Sequence, residues 1–150
     1  MPSVVDSLRA TVPALVSFVT GSRPDTFQRR PAPNEWNAAT VIAHMADAEL
    51  VYAVRIRSVL TQPGGLLPAF DEGKWADRFG PLDDELAGAL ARFRVLRQST
   101  IAVVESLADE EWERSGLHEQ YGELTVRQLV NRLVAHDATH LDQIRAALGA

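Results

Sequence analysis

The last helical stretch of this chain carries two histidines, His136 and His140, where its apolar stripe should hold leucines. At helical spacing the stripe reads Val126, Leu129, Val130, Leu133, His136, His140, Ile144 and Leu148, so both imidazoles face whatever this helix packs against. A bundle core gains little from adjacent imidazoles. Neutral His at i and i+4, by contrast, presents two nitrogens to one divalent ion. The pair therefore favours a fold that brings a third ligand to the same helix face.

Four segments carry helical periodicity and none sustains a period of two, which makes the chain all-α. The first runs from about Val4 to Thr20, with Pro13 inside it and Gly21 as its expected C-cap residue. The second runs from the N-cap residue Asn37 to about Leu60 and closes at Pro63-Gly64-Gly65. The third starts after Pro81, where Asp83, Asp84 and Glu85 complement the helix dipole, and continues through Leu86, Leu90, Phe93, Leu96 and Ile101 to about Leu107. The fourth opens on the capping-box pattern Thr125 to Gln128 and ends near Leu148, before Gly149. With 150 residues and no repeat, the chain is expected to form one domain over 1–150.

Three links, 21–36, 61–81 and 108–124, exceed the usual 2 to 8 residues between bundle helices and are expected to pack on the bundle or overhang it. The middle one, with Phe70, Trp75 and Phe79, has room for a short helix; the last suits an irregular turn or a small hairpin. The three tryptophans, Trp36, Trp75 and Trp112, read as packing residues at helix ends and loops, Trp75 also suiting a pocket entrance.

The second segment supplies the missing ligand. His44 shares its face with Val41, Ala48 and Val51, so three of the four histidines point inward from two helices. Three imidazoles and one open position suit catalytic zinc or a similar divalent ion. Helices two and four lie diagonally in a simple up-down-up-down bundle, farther apart than packed neighbours, so a shared ion favours their being adjacent, with crossovers that links such as 21–36 and 61–81 could supply.

Carboxylates flank the histidines. Asp47, Asp137 and Asp142 all read as solvating groups or as ion-pair partners of Arg55, Arg132 or Arg145; Asp47, three residues after His44, is also the best placed as an outer partner of a ligand, an extra ligand or a base. Glu49 lies too far around the helix to reach the same ion and is expected to pair with an arginine. His118, near Tyr121, reads as a solvated loop histidine or as a group reaching over the bundle mouth.

No cysteine is present, which excludes disulfides, thiolate zinc sites and a cysteine nucleophile. A net charge of -5 argues against nucleic acid and makes acidic phosphates poor candidate partners. The fourteen arginines, spread along every segment, gain no functional weight from this pattern. No Gly-x-Ser-x-Gly elbow, P-loop or dinucleotide fingerprint occurs. There is no basic leader pattern and no run of about 18 apolar residues, so a cytoplasmic protein without membrane association is expected.

Several stretches together resemble the DinB/YfiT-like family of four-helix metalloproteins: Arg30-Pro31 leading to Glu35-Trp36-Asn37, Ala43 to Glu49, Leu107 to Trp112, Leu124 to Arg127, and Ala135 to Ile144. The most specific part is His44 combined with His136-x3-His140 before Gln143-Ile144. The resemblance implies a four-helix bundle, a divalent ion such as zinc or nickel on His44, His136 and His140, and a homodimer. It also implies small-molecule chemistry, with thiol-dependent transferases among the relatives. The expectation is a metal-dependent enzyme of thiol-transferase type acting on a small molecule with a low-molecular-weight thiol; a metal-dependent hydrolase and a non-catalytic, stress-linked binding or dimerisation module are the alternatives.

Overall fold

The first, second and last long helices form where the sequence supplies both an apolar stripe and a cap. The computed structural model describes residues 1–80 and 86–150. Helix α1 spans Val4–Gly21 and opens on a capping box the sequence reading lacked, in which Ser3 Oγ accepts from Asp6 N–H and Asp6 Oδ2 accepts from Ser3 N–H, both at 3.1 Å. It continues through Pro13, and Gly21 is its last residue, with Ser22 in the extended cap conformation. Helix α2 spans Ala38–Thr61, with Asn37 Oδ1 accepting from Thr40 N–H at 2.8 Å. The link after it contains the short helix α3, Glu72–Phe79, capped by Asp71. Helix α4 spans Leu86–Glu105; the expected acidic start at Asp83, Asp84 and Glu85 lies outside the described residues. The hairpin of β1 (Ser115–His118) and β2 (Gly122–Thr125) leads into helix α5, Val126–Leu148, which has the expected Thr125/Gln128 capping box and ends at Gly149 with φ 70°.

In α4 the buried face is Ala89, Phe93, Arg97, Thr100 and Val104, not the expected Leu86, Leu90, Leu96 and Ile101. The polar identities of Arg97 and Thr100 disguise the true stripe. They belong to a polar layer through the middle of the bundle. One apolar cluster, with Leu15, Met45, Phe93 and Ile144, fills one end, and another, with Leu8, Ile56, Val104 and Leu133, fills the other. Between them each helix contributes a buried polar residue: Thr11 from α1, Glu49 from α2, Arg97 and Thr100 from α4, and Asp137 from α5.

The order of these layers along each helix fixes its direction. α1 and α5 run one way, and α2 and α4 the other. α2 packs against α4 and α5, as does α1, which leaves α1 diagonal to α2 and α4 diagonal to α5. The expected adjacency of the second and fourth long helices is therefore present. The diagonal connections are 22–37 and 106–125. α2 and α4 are parallel neighbours, so the segment from residue 62 to 80 runs back along α2, a helix of 24 residues or roughly 36 Å. This return strand bonds to the hairpin, Leu67 N–H donating to the Leu117 carbonyl at 2.8 Å. Gly116 allows the close approach, since a Cβ there would come within 2.8 Å of Leu67 Cδ2.

By length and mean hydropathy, 1.2 over 18 residues, α1 is long and apolar enough to cross a membrane. It nonetheless includes Asp6 and Arg9 and sends Leu8 and Leu15 into the two core clusters.

Arg97 satisfies all five of its N–H groups. Nε and Nη2 donate to Glu49 Oε2 at 3.1 and 2.7 Å, Nη1 and Nη2 donate to the two Asp137 oxygens at 2.6 and 3.1 Å, and Nη1 also reaches the Leu8 carbonyl at 3.1 Å. Arg97→Leu, which strands two buried carboxylates, is expected to cost about 3 to 5 kcal/mol in denaturant unfolding. Breaking the exposed Arg9–Glu105 pair by Arg9→Ala should cost no more than about 1 kcal/mol.

Candidate metal centre

His44 on α2 meets His136 and His140 on α5 at the helix contact that the parallel and antiparallel packing creates. His44 Nε2 lies 2.9 Å from His136 Nε2 and 3.1 Å from His140 Nε2. The three ligand atoms all fall within 4.8 Å of one another. Two nitrogens on one ion at bonds of about 2.0 to 2.1 Å stand roughly 2.9 to 3.4 Å apart, so both contacts of His44 have the spacing of a shared cation.

The protonation pattern fits it too. His140 Nδ1 donates to Gln143 Oε1 at 2.7 Å, which leaves its Nε2 with a lone pair. A single proton can bridge only one of the two short contacts at His44; the other brings lone pairs together, which a cation relieves. Burial first, and then His140, holds His44 down at about 4; burial, His140, His44 and Arg97 hold His136 at about 3. Both rings are therefore neutral at pH 7, as ligands must be. His136 Nδ1 is buried without a partner among the described residues, which further disfavours its charged form.

Aromatic rings enclose His44. Trp36 lies 5.1 Å away by ring centroid, and Phe70 of the return strand stacks parallel at 6.0 Å. Next to Phe70 the return strand begins α3, whose first residue, Glu72, places Oε1 3.8 Å from His136 Nε2 and 4.0 Å from His44 Nε2. Glu72 was missing from the sequence reading. No spacing relates it to the histidines, because its position depends on the path of the return strand.

The other expected residues are placed as follows. Asp47 is not in the histidine cluster; its carboxylate lies 3.8 Å from the Arg92 guanidinium. Glu49 pairs with an arginine, as expected, that arginine being Arg97. Asp137 also pairs with Arg97, and Asp142 with Arg145. His118 lines a cleft of about 460 Å³ that also includes Glu72, His136, Phe70, Arg55 and Arg132. Trp75 packs edge-on against Phe70 and Phe79.

The sequence profile of the DinB superfamily matches residues 7–144, which include all three histidines. The chain belongs to the DinB superfamily. Among its relatives, a protein of Oceanobacillus iheyensis named "Putative metal-dependent hydrolase OB0413" is 28% identical over 116 residues, 75% of this chain and 65% of that protein. The chain thus spans slightly less than two thirds of that relative. The protein of the same designation, YfiT, from Bacillus subtilis is 24% identical over 94% of this chain and 78% of its own length. The solved structure of YfiT, described as an unusual four-helix bundle topology, superposes with a TM-score of 0.88 at 19% identity, covering 96% of this chain and 83% of that one. A DinB-like protein of B. subtilis, YjoA, gives 0.68 at 14% identity over 97% of this chain and 89% of that one. These structures share the DinB fold.

Buried neutral histidines make the metal-free protein acid-sensitive. Unfolded histidines take up protons near pH 6.5, whereas folded His44 waits until about 4 and His136 until about 3. The stability is therefore full above pH 6.5 and falls as the pH drops toward 4 and 3, by on the order of a few kcal/mol. Denaturant midpoints of chelator-treated protein across this range should show the slope, and His136→Asn should flatten it between pH 6.5 and 4.

Proposed function

We propose that this DinB protein is a metal-dependent enzyme acting on small molecules by hydrolysis, with a divalent ion held by His44, His136 and His140 through Nε2. The observation that carries this is the convergence of three imidazole nitrogens beside the half-exposed carboxylate of Glu72. The names of the relatives support the same reading. With nitrogen donors and no thiolate, zinc and nickel are the ions that suit the set.

A bound ion would supply Lewis acidity and lower the pKa of a protic nucleophile in the cleft. The chain's own residues do the rest. Gln143 orients His140 by accepting from Nδ1, and Trp36 and Phe70 exclude solvent from the His44 side. Glu72 Oε1 lies too far from the histidine nitrogens for direct hydrogen bonds, which leaves it free to accept the nucleophile's proton. We assign it the role of base in place of Asp47. A small thiol meets the same base as water does, so thiol transfer is a different outcome of the same assay.

Metal analysis of purified protein should give about one equivalent. His44→Ala and His140→Ala should lose it, and stoichiometric metal in both would refute the site. Glu72→Gln should keep the metal yet lower turnover about 10² to 10⁴-fold. Screening esters and amides alongside a thiol with electrophiles, with and without chelator, separates hydrolysis from thiol transfer.

A further inference from the structure

The cleft beside the histidines also holds two arginines with no counter-ion among the described residues. Arg55 is only 5% exposed, yet its partners are neutral: Nε and Nη2 both donate to the Pro68 carbonyl, at 3.2 and 2.8 Å, and the Tyr52 side chain is its other polar neighbour. Arg97, equally deep, has two carboxylates and a carbonyl. No described carboxylate comes within salt-bridge distance of Arg55 or of Arg132. A buried cation without an opposite charge is among the least favourable placements in a fold, unless a ligand supplies the charge.

The surroundings are arranged for such a ligand. The Arg132 guanidinium lies 4.2 Å over the Tyr121 ring, and Arg55 lies 5.3 Å from the Tyr52 ring, so aromatic faces orient both. His118 Nδ1 accepts from the Gln120 and Tyr121 N–H groups at 3.1 and 3.3 Å, leaving Nε2–H as the ring's donor. Tyr52, Arg55, His118, Tyr121 and Arg132 all line the cleft, whose described carboxylate is Glu72. Burial and the charges of Arg55 and Arg132 hold His118 below its usual range, as a locally positive field requires.

We propose that the cleft is a subsite for small molecules bearing an oxyanion, a carboxylate or a phosphate, seated between Arg55 and Arg132. It deepens the metal-enzyme reading, because the rest of such a molecule then points toward Glu72 and the histidines. Arg132 stands one turn from His136 on α5, and Arg55 about three turns from His44 on α2, both toward the hairpin end of the bundle. These offsets, about 6 and 16 Å of helix rise, set the distance between the anionic group and the reacting bond at the length of a small molecule. The overall charge of -5 hides this local polarity.

Calorimetric titration of metal-free, chelator-treated protein with hexanoate, hexyl phosphate and hexanamide tests the subsite without an ion to bind the acids. At least one acid should bind at least tenfold more tightly than the amide, and the stronger acid identifies the oxyanion. Arg132→Gln, at an exposed position, should weaken it about tenfold, and Arg132→Lys should restore part of the loss. Equal binding of the amide, no binding of either acid, or unchanged affinity in Arg132→Gln would overturn the proposal. Any of these leaves the metal centre standing, whereas metal retention in the histidine variants would refute that centre alone.

Discussion

Arg97 is where the four long helices meet. Its guanidinium binds Glu49 of α2, Asp137 of α5 and the Leu8 carbonyl of α1, while Thr11 of α1 donates to Asp137 Oδ2 at 2.7 Å. A slide of α2, α4 or α5 by one turn would leave a buried charge without its partner, a cost of several kcal/mol against a total stability of about 5 to 15. Apolar side chains on either side supply most of the burial energy but tolerate such slides better, since they pack by shape and size. The polar layer thus sets the register. Asp137 follows His136 directly in α5, so the tie that fixes the helices also fixes where the imidazoles meet.

The parts of this arrangement that depend on local pattern were legible in the sequence. The stripes of α1, α2 and α5, the Asn37 cap, the Thr125 capping box and the inward faces of His44, His136 and His140 follow from helical geometry. The adjacency of α2 and α5 followed from asking what three convergent imidazoles require. The short helix and the hairpin lie in the links whose length was the warning.

The rest depends on chain direction, which no short-range pattern encodes. Arg97 interrupts the α4 stripe as though it were a solvent-facing residue, and its role emerges only when carboxylates from two other helices are present. Glu72 reaches the histidines because α2 and α4 are parallel and the chain must climb back between them. Arg55 and Arg132 vanish among fourteen scattered arginines and an acidic total; what sets them apart is that no described carboxylate lies beside them. In this protein, then, charge is informative residue by residue and misleading as a sum.

The return strand from α2 to α4 has one further consequence. No residue of α3 is buried, whereas α2 and α5 supply much of both cores. Folding energy and chemical identity are therefore carried by separate stretches of chain: the bundle holds the histidines, and the overlying strand delivers the carboxylate and the aromatic wall. Leu67 of that segment belongs to a core cluster, so it is changes within α3 that leave the scaffold's stability nearly untouched while altering what reaches the imidazoles.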